Sequence, residues 1–145
     1  MSAPVERTIH VRCPVEHAFR VFTRRIDAWW PAGHRRYPGS TLTLEAKPGG
    51  RFYERAPSGD EAQLGEVLTV DPPHRITYTW RPGAITNPTE VEIRFTPDGD
   101  ATRVDVTHRE GPAAMGDRWP ERAALFNRAW SHVLPAYAAH IHDPS

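Results

Sequence analysis

The chain has 145 residues, with 18 Lys+Arg balanced by 18 Asp+Glu, and reads as one domain (1–145) that buries about two thirds of its unfolded surface without disulfide or metal staples. Zero net charge argues against a nucleic-acid module, which shows a basic excess or stripe, and the doublets Arg24-Arg25 and Arg35-Arg36 read as solvated surface. Cys13 has no partner for an internal disulfide, MSAPVERT holds no leader-like apolar run, and nothing approaches the ~18 apolar residues of a membrane span, so the expected setting is cytoplasmic.

Val5, Arg7, Ile9 and Val11 alternate with Glu6, Thr8, His10 and Arg12, which predicts a strand. Pro14 then stands where a first helical turn begins, and Val15, Ala18, Phe19, Phe22 and Ile26 recur at three- and four-residue steps. This predicts a short amphipathic helix that breaks near 23–27 into a second piece ending at Trp29-Trp30-Pro31. Ala32 to Ser40 reads as a loop. Strands follow at 41–46, 51–55, 62–70 and 75–81, separated by Pro48-Gly49-Gly50, Pro57-Ser58-Gly59-Asp60 and Asp71-Pro72-Pro73-His74. Gly65 marks a bulge or a close approach. Thr77 to Trp80 alternates threonine with large aromatics, as a sheet with one wet and one dry face requires. After a loop at Pro82 to Pro88, Val91, Ile93 and Phe95 are predicted to face in, and Glu90, Glu92 and Arg94 out. Pro97-Asp98-Gly99-Asp100 is a hairpin turn, and the returning strand places Val104, Val106 and His108 on one face.

Gly111 to Gly116 is a loop. From Asp117, a plausible N-cap, the period becomes helical: Trp119, Ala123, Phe126, Trp130, Val133, Leu134, Tyr137 and Ile141. A helix of about 25 residues follows, roughly 37 Å long. Pro135 lies inside it, which predicts a kink over 131–135. The packing solution is a seven-stranded antiparallel sheet curved around the long helix, with the two short helices plugging one edge, an α+β arrangement.

Pro14-Val15-Glu16-His17-Ala18-Phe19, Trp29-Trp30-Pro31, Gly49-Gly50-Arg51-Phe52, Gly65-Glu66-Val67, Asp71-Pro72-Pro73, Tyr78-Thr79-Trp80 and Val91 to Phe95 follow one another in an order that resembles the SRPBCC superfamily, the helix-grip fold of START domains and the major birch-pollen allergen. Within it the chain looks like the branch named after the C-terminal domain of the activator of the heat-shock-protein-90 ATPase. The likeness covers about residues 5 to 141. It implies an apolar cavity between sheet and long helix, of the kind that holds lipids, polyketides or other hydrophobic molecules.

The predicted cavity set is Trp29, Trp30, Phe52, Tyr78, Trp80, Phe95, His108, Trp119, Phe126, Asn127 and Trp130. The aromatics either fill the core completely or line a pocket, with Ala123 and Ala129 leaving room. His108, in phase with Val104 and Val106, is a buried neutral imidazole or a polar anchor for a ligand; Asn127, Tyr78 and the indole N–H groups would help orient it. No HExxH, CxxC or His–carboxylate cluster suggests a metal, and no cofactor motif is present. Acidic residues fall mostly on predicted outer faces or turns, so no acid/base pair can be named. The expected function is binding of a hydrophobic small molecule, of lipid, polyketide or aromatic type, without catalytic residues. The alternatives are a co-chaperone-like interaction domain with a chaperone partner, or a cyclase or hydrolase on the same fold; a homodimer is left open.

Overall fold

The computed structural model describes residues 3–80, 89–111 and 119–142. The Pro82 to Pro88 loop, the Asp117 cap and all but the first residue of the Gly111 to Gly116 loop lie outside them. The order is β1 (Val5–Val11), α1 (Val15–Thr23), α2 (Ile26–Trp29), a 3-10 turn (Ala32–His34), β2 (Thr41–Leu44), β3 (Arg51–Arg55), β4 (Glu61–Asp71), β5 (Arg75–Trp80), β6 (Thr89–Asp98), β7 (Ala101–Arg109) and α3 (Trp119–His142). Two details differ from the sequence reading. Pro14 occupies the cap before α1, with extended ψ of 155°, and does not sit in its first turn. The 32–40 loop opens with the 3-10 turn.

The strands form one antiparallel sheet in the order β1-β7-β6-β5-β4-β3-β2, curled around α3. Residues directly opposite one another on antiparallel strands share a face. Tyr78, Val91, His108 and Val5 therefore form one inward row across β5, β6, β7 and β1. Ile76, Ile93 and Val106 form the next. Nearly all of these side chains are withdrawn from water, and each large one contributes roughly 1.5–3 kcal/mol by its burial.

α3 presents Trp119, Phe126, Trp130, Val133, Leu134 and Tyr137 to this wall. The α1 stripe of Val15, Ala18, Phe19 and Phe22 packs into the open end of the curl. The Tyr137 hydroxyl donates to the carbonyl oxygen of Ala18 at 2.7 Å, which ties α3 to α1. At the far end of α3, His142 Nε2 accepts the Arg12 amide at 3.0 Å. Among the described residues no helix is long and apolar enough to cross a membrane.

Candidate functional site: a cavity under the long helix

A cavity of about 60 Å³ lies where the upper ends of β5 and β7 face the middle of α3. The sheet contributes Trp80 and His108, and α3 contributes Phe126, Ala129, Trp130 and Val133. Trp30 and His34 close it from the segment after α2. It has room for about two water molecules and is well below the ~300 Å³ of an ordinary ligand pocket. Most of the interior is filled by the aromatics themselves.

His108 is 1% exposed and has both ring nitrogens engaged. The Trp130 indole N–H can only donate, so His108 Nδ1 accepts it at 3.1 Å. The ring proton therefore sits on Nε2 and points at Thr89 Oγ1, 2.7 Å away. The Thr89 hydroxyl passes its own proton to the Trp80 carbonyl oxygen at 3.0 Å. The three side-chain donors of this relay, on Trp130, His108 and Thr89, each meet an acceptor. Phe126 stacks on the imidazole, with ring centroids 4.1 Å apart. Burial pushes the His108 pKa down to about 3, so the ring is neutral and holds α3 against β6 and β7.

The predicted set divides. Trp30, Trp80, His108, Phe126 and Trp130 line the cavity. Phe52 and Tyr78 stand behind Trp80, with centroids 5.5 and 6.5 Å from it. Trp119 backs His108 and spends its indole N–H on the Ala3 carbonyl. Trp29 and Phe95 do not line the cavity. They belong to a second aromatic cluster with Phe19, Phe22 and Tyr137, which meets the cavity wall where Trp29 packs on Trp30 at 5.6 Å between ring centroids. Asn127 is a correction. It is one residue, about 100° of helix turn, beyond Phe126, and it is exposed. Its Oδ1 accepts from Arg7 Nε at 2.8 Å, which fastens α3 to the edge strand β1.

The expectation that indole N–H groups orient a ligand also narrows. Trp29 donates to the Val21 carbonyl and Trp30 to that of His34, so with Trp119 and Trp130 four indoles are satisfied internally. Among the described residues, the half-buried Trp80 keeps its N–H free and the fully buried Tyr78 hydroxyl has no partner. The sequence reading missed His34 and Val133. Val133 follows Trp130 by three on the helix and was legible as a lining position. His34 lies in a loop, where no periodicity points it anywhere. Its ring sits 5.6 Å from that of His132 on α3, and burial, then the charge of His132, lowers its pKa.

The 32–40 loop is held over the cavity by two charged side chains, Arg35, which the sequence placed in solvent, and Glu54, which it did not single out. Arg35 donates to Asp27 Oδ1 and to the carbonyl oxygens of Asp27, Trp30 and Ser40. Glu54, 1% exposed, points into the dry face beside Phe52 and accepts the Arg36 and Tyr37 amides at 3.0 and 2.8 Å. Paired with no cation among the described residues, its carboxylate is satisfied by two backbone dipoles. Glu54→Gln retains a single acceptor oxygen and turns an N–H₂ donor towards the other amide. The expected result is about tenfold faster hydrogen exchange at Arg36 and Tyr37, equivalent to about 1.4 kcal/mol of local stability. Unchanged exchange would show that Arg35 alone holds the loop.

Cys13 is buried; its thiol pKa is raised by that burial, and its carbonyl accepts the Thr102 hydroxyl. Among the described residues no three His, Cys, Asp or Glu side chains converge on a metal-sized site.

A single sheet gripping one long helix, with a small aromatic-walled cavity between them, defines the class as an SRPBCC-type helix-grip domain. The family model described as Activator of Hsp90 ATPase homolog 1-like protein matches residues 12–139, and the chain belongs to this family. Among solved structures it is similar to DynU16, a protein of the dynemicin biosynthetic locus, at 19% identity and TM-score 0.74. That likeness covers 100% of this chain and 49% of DynU16, so the chain spans about half its length. It is also similar to CalU16 from Micromonospora echinospora, at 20% identity and TM-score 0.69, covering 97% of this chain and 75% of that one. These two show the shared fold. An anthrahydroquino-gamma-pyrone synthase, Txn09, is 29% identical with TM-score 0.63, covering 94% of this chain and 96% of its own. No curated protein matches the chain. Fold and family are consistent with ligand binding.

Proposed function

We propose that the protein binds a flat, largely apolar small molecule of aromatic or polyketide type between β5 and α3. The observation that carries this reading is the cavity itself: Trp30, Trp80, Phe126 and Trp130 wall it, and its polar floor, His108, is neutral and already satisfied. The likeness to a protein titled as an anthrahydroquino-gamma-pyrone synthase supports the ligand class. Binding requires the cavity to widen beyond 60 Å³. The half-buried Trp80 and the exposed His34 are the walls able to move, whereas His108 and Trp130 are locked to each other. Outward movement of Trp80 uncovers the Tyr78 hydroxyl, an unpartnered donor suited to a quinone or phenol oxygen. His108 has no free lone pair in this arrangement, which favours binding over catalysis by this imidazole.

Titration with anthraquinones, followed by tryptophan fluorescence and native mass spectrometry, is expected to give saturable one-to-one binding. Trp80→Ala is expected to weaken it at least tenfold, about 1.4 kcal/mol, while leaving the fold intact, since Trp80 is half-buried. Absence of binding by every aromatic probe would sink the proposal.

A further inference from the structure

A second concavity, about 580 Å³, opens beside α1 and shares no lining residue with the first. One wall is a face of α1: Glu16, Phe19, Arg20 and Arg24 recur at helical spacing. The other wall is the end of β2 and the turn that follows, with Leu44, Ala46 and Lys47; Pro72 and Pro73 of the β4–β5 turn close the base. Phe19 forms the apolar floor, its ring edge-on to Phe95 at 5.4 Å.

The turn wall is built. Glu45 Oε1 accepts the Arg51 amide at 2.8 Å, the Gly50 amide bonds the Lys47 carbonyl, and the Gly49 amide bonds that of Val67. The chain is wound so tightly there that a Cβ on Gly50 would meet the Glu45 carbonyl oxygen at 2.2 Å. Lys47 is therefore presented by a rigid frame, facing Arg20 and Arg24 across the groove.

The charges do not balance. Arg20, Arg24 and Lys47 are exposed, and none of them takes part in an ion pair among the described residues. Arg20 and Arg24 stand one helical turn apart, where like charges repel. Two carboxylates in the lining, Glu16 and Glu45, stand against these three cations, and one oxygen of Glu45 is already engaged by the Arg51 amide, so the groove keeps a net positive charge.

We infer that this groove is a second ligand site, for a soluble amphiphile with a carboxylate head and an apolar body. The carboxylate bridges Arg20, Arg24 and Lys47, relieving their mutual repulsion, and the body lies on Phe19, Leu44, Ala46 and the two prolines. The volume suits an occupant of about ten to twenty heavy atoms, because pockets of 300–1,000 Å³ hold small molecules.

The test uses sodium decanoate, followed by calorimetry and by amide chemical-shift mapping on the full chain. Shifts are expected at Phe19, Arg24 and Ala46, with affinity falling as salt rises. Arg20→Glu with Lys47→Glu changes exposed side chains only and is expected to weaken decanoate at least tenfold, while decanol, which lacks the charge, is nearly unaffected. Trp80→Ala should leave decanoate binding at this groove unchanged, so that loss of the aromatic site and loss of this one are read separately. The inference is overturned if decanoate shifts map only to the Trp30–Trp80 cavity or if the charge-reversed variant binds it equally well. It is also overturned if an Asp/Glu-rich peptide binds through these residues more tightly than decanoate does, since the groove would then be a peptide-docking surface.

Discussion

His108→Leu is expected to lower the stability of the protein by about 3 kcal/mol in chemical denaturation and to flatten its dependence on acid pH. Leucine fills the volume but offers Trp130 no acceptor. The indole N–H, buried against Phe126 and the sheet, then carries an unmet desolvation cost of about 1–3 kcal/mol, on top of the lost Thr89 bond. The pH effect has a definite sign. The folded-state pKa of His108, about 3, lies below its ordinary value of 6.5, because burial penalises the cation. As pH falls, the unfolded chain takes up the proton first. Stability present in full above about pH 6.5 is lost progressively towards about pH 3, at up to about 1.4 kcal/mol per pH unit from this one group. The leucine variant lacks that component. Parallel pH profiles for the two proteins would show that His108 titrates normally and is not the buried neutral linker described above.

Gly65→Ala should cost at least as much, about 3 kcal/mol or more, for a different reason. A Cβ there would stand 1.8 Å from the Thr79 carbonyl oxygen and 2.9 Å from its carbonyl carbon. The tip of a flexible side chain could swing away from such a contact, but the backbone of a paired strand cannot. Relief requires β4 and β5 to separate, which strains the bond from the Glu66 amide to Thr79 Oγ1 and shifts the adjacent Trp80 at the cavity wall. Loss of stability and loss of aromatic-ligand binding are therefore expected together. Gly33→Ala, whose Cβ would meet nothing within 4 Å, serves as the control and should change stability by less than about 0.5 kcal/mol. If Gly65→Ala is as mild as Gly33→Ala, the strands are not held as close as described.

The close approach at Gly65 was legible in the sequence as a glycine inside a strand pattern. Its partner was not, because Thr79 lies on another strand and no local pattern pairs the two. Glu54 shows the same limit from the other side. Alternation with Phe52 put it on the dry face, but carboxylates rarely sit there unpaired. Its acceptors' partners, the Arg36 and Tyr37 amides, come from a loop without periodicity. Arg35 read as solvated because three of its four acceptors are carbonyl oxygens, which carry no sequence signature. Asn127 was misplaced by proximity to Phe126 along the chain, where helix geometry turns the neighbour aside.

The alternation of Thr77 to Trp80 and of Val91 to Phe95, the three- and four-residue recurrence from Trp119 to Ile141, and the turn residues between them determined the elements, their dry faces and the family. Each of these signals is local: a period states which way a side chain points relative to its own strand or helix. Which rings stand around a void and which pack on one another depends on distances between elements, and only the closed structure decides them. It sent Trp29 and Phe95 to the α1 cluster and Trp30 and Trp80 to the cavity. It also joined His108 to Trp130 and Thr89, 22 and 19 residues away in sequence, so that a histidine readable as a ligand anchor became the bond between helix and sheet. Hydrogen-bond satisfaction in a dry interior is a property of all the neighbours at once, and no stretch of sequence carries it alone.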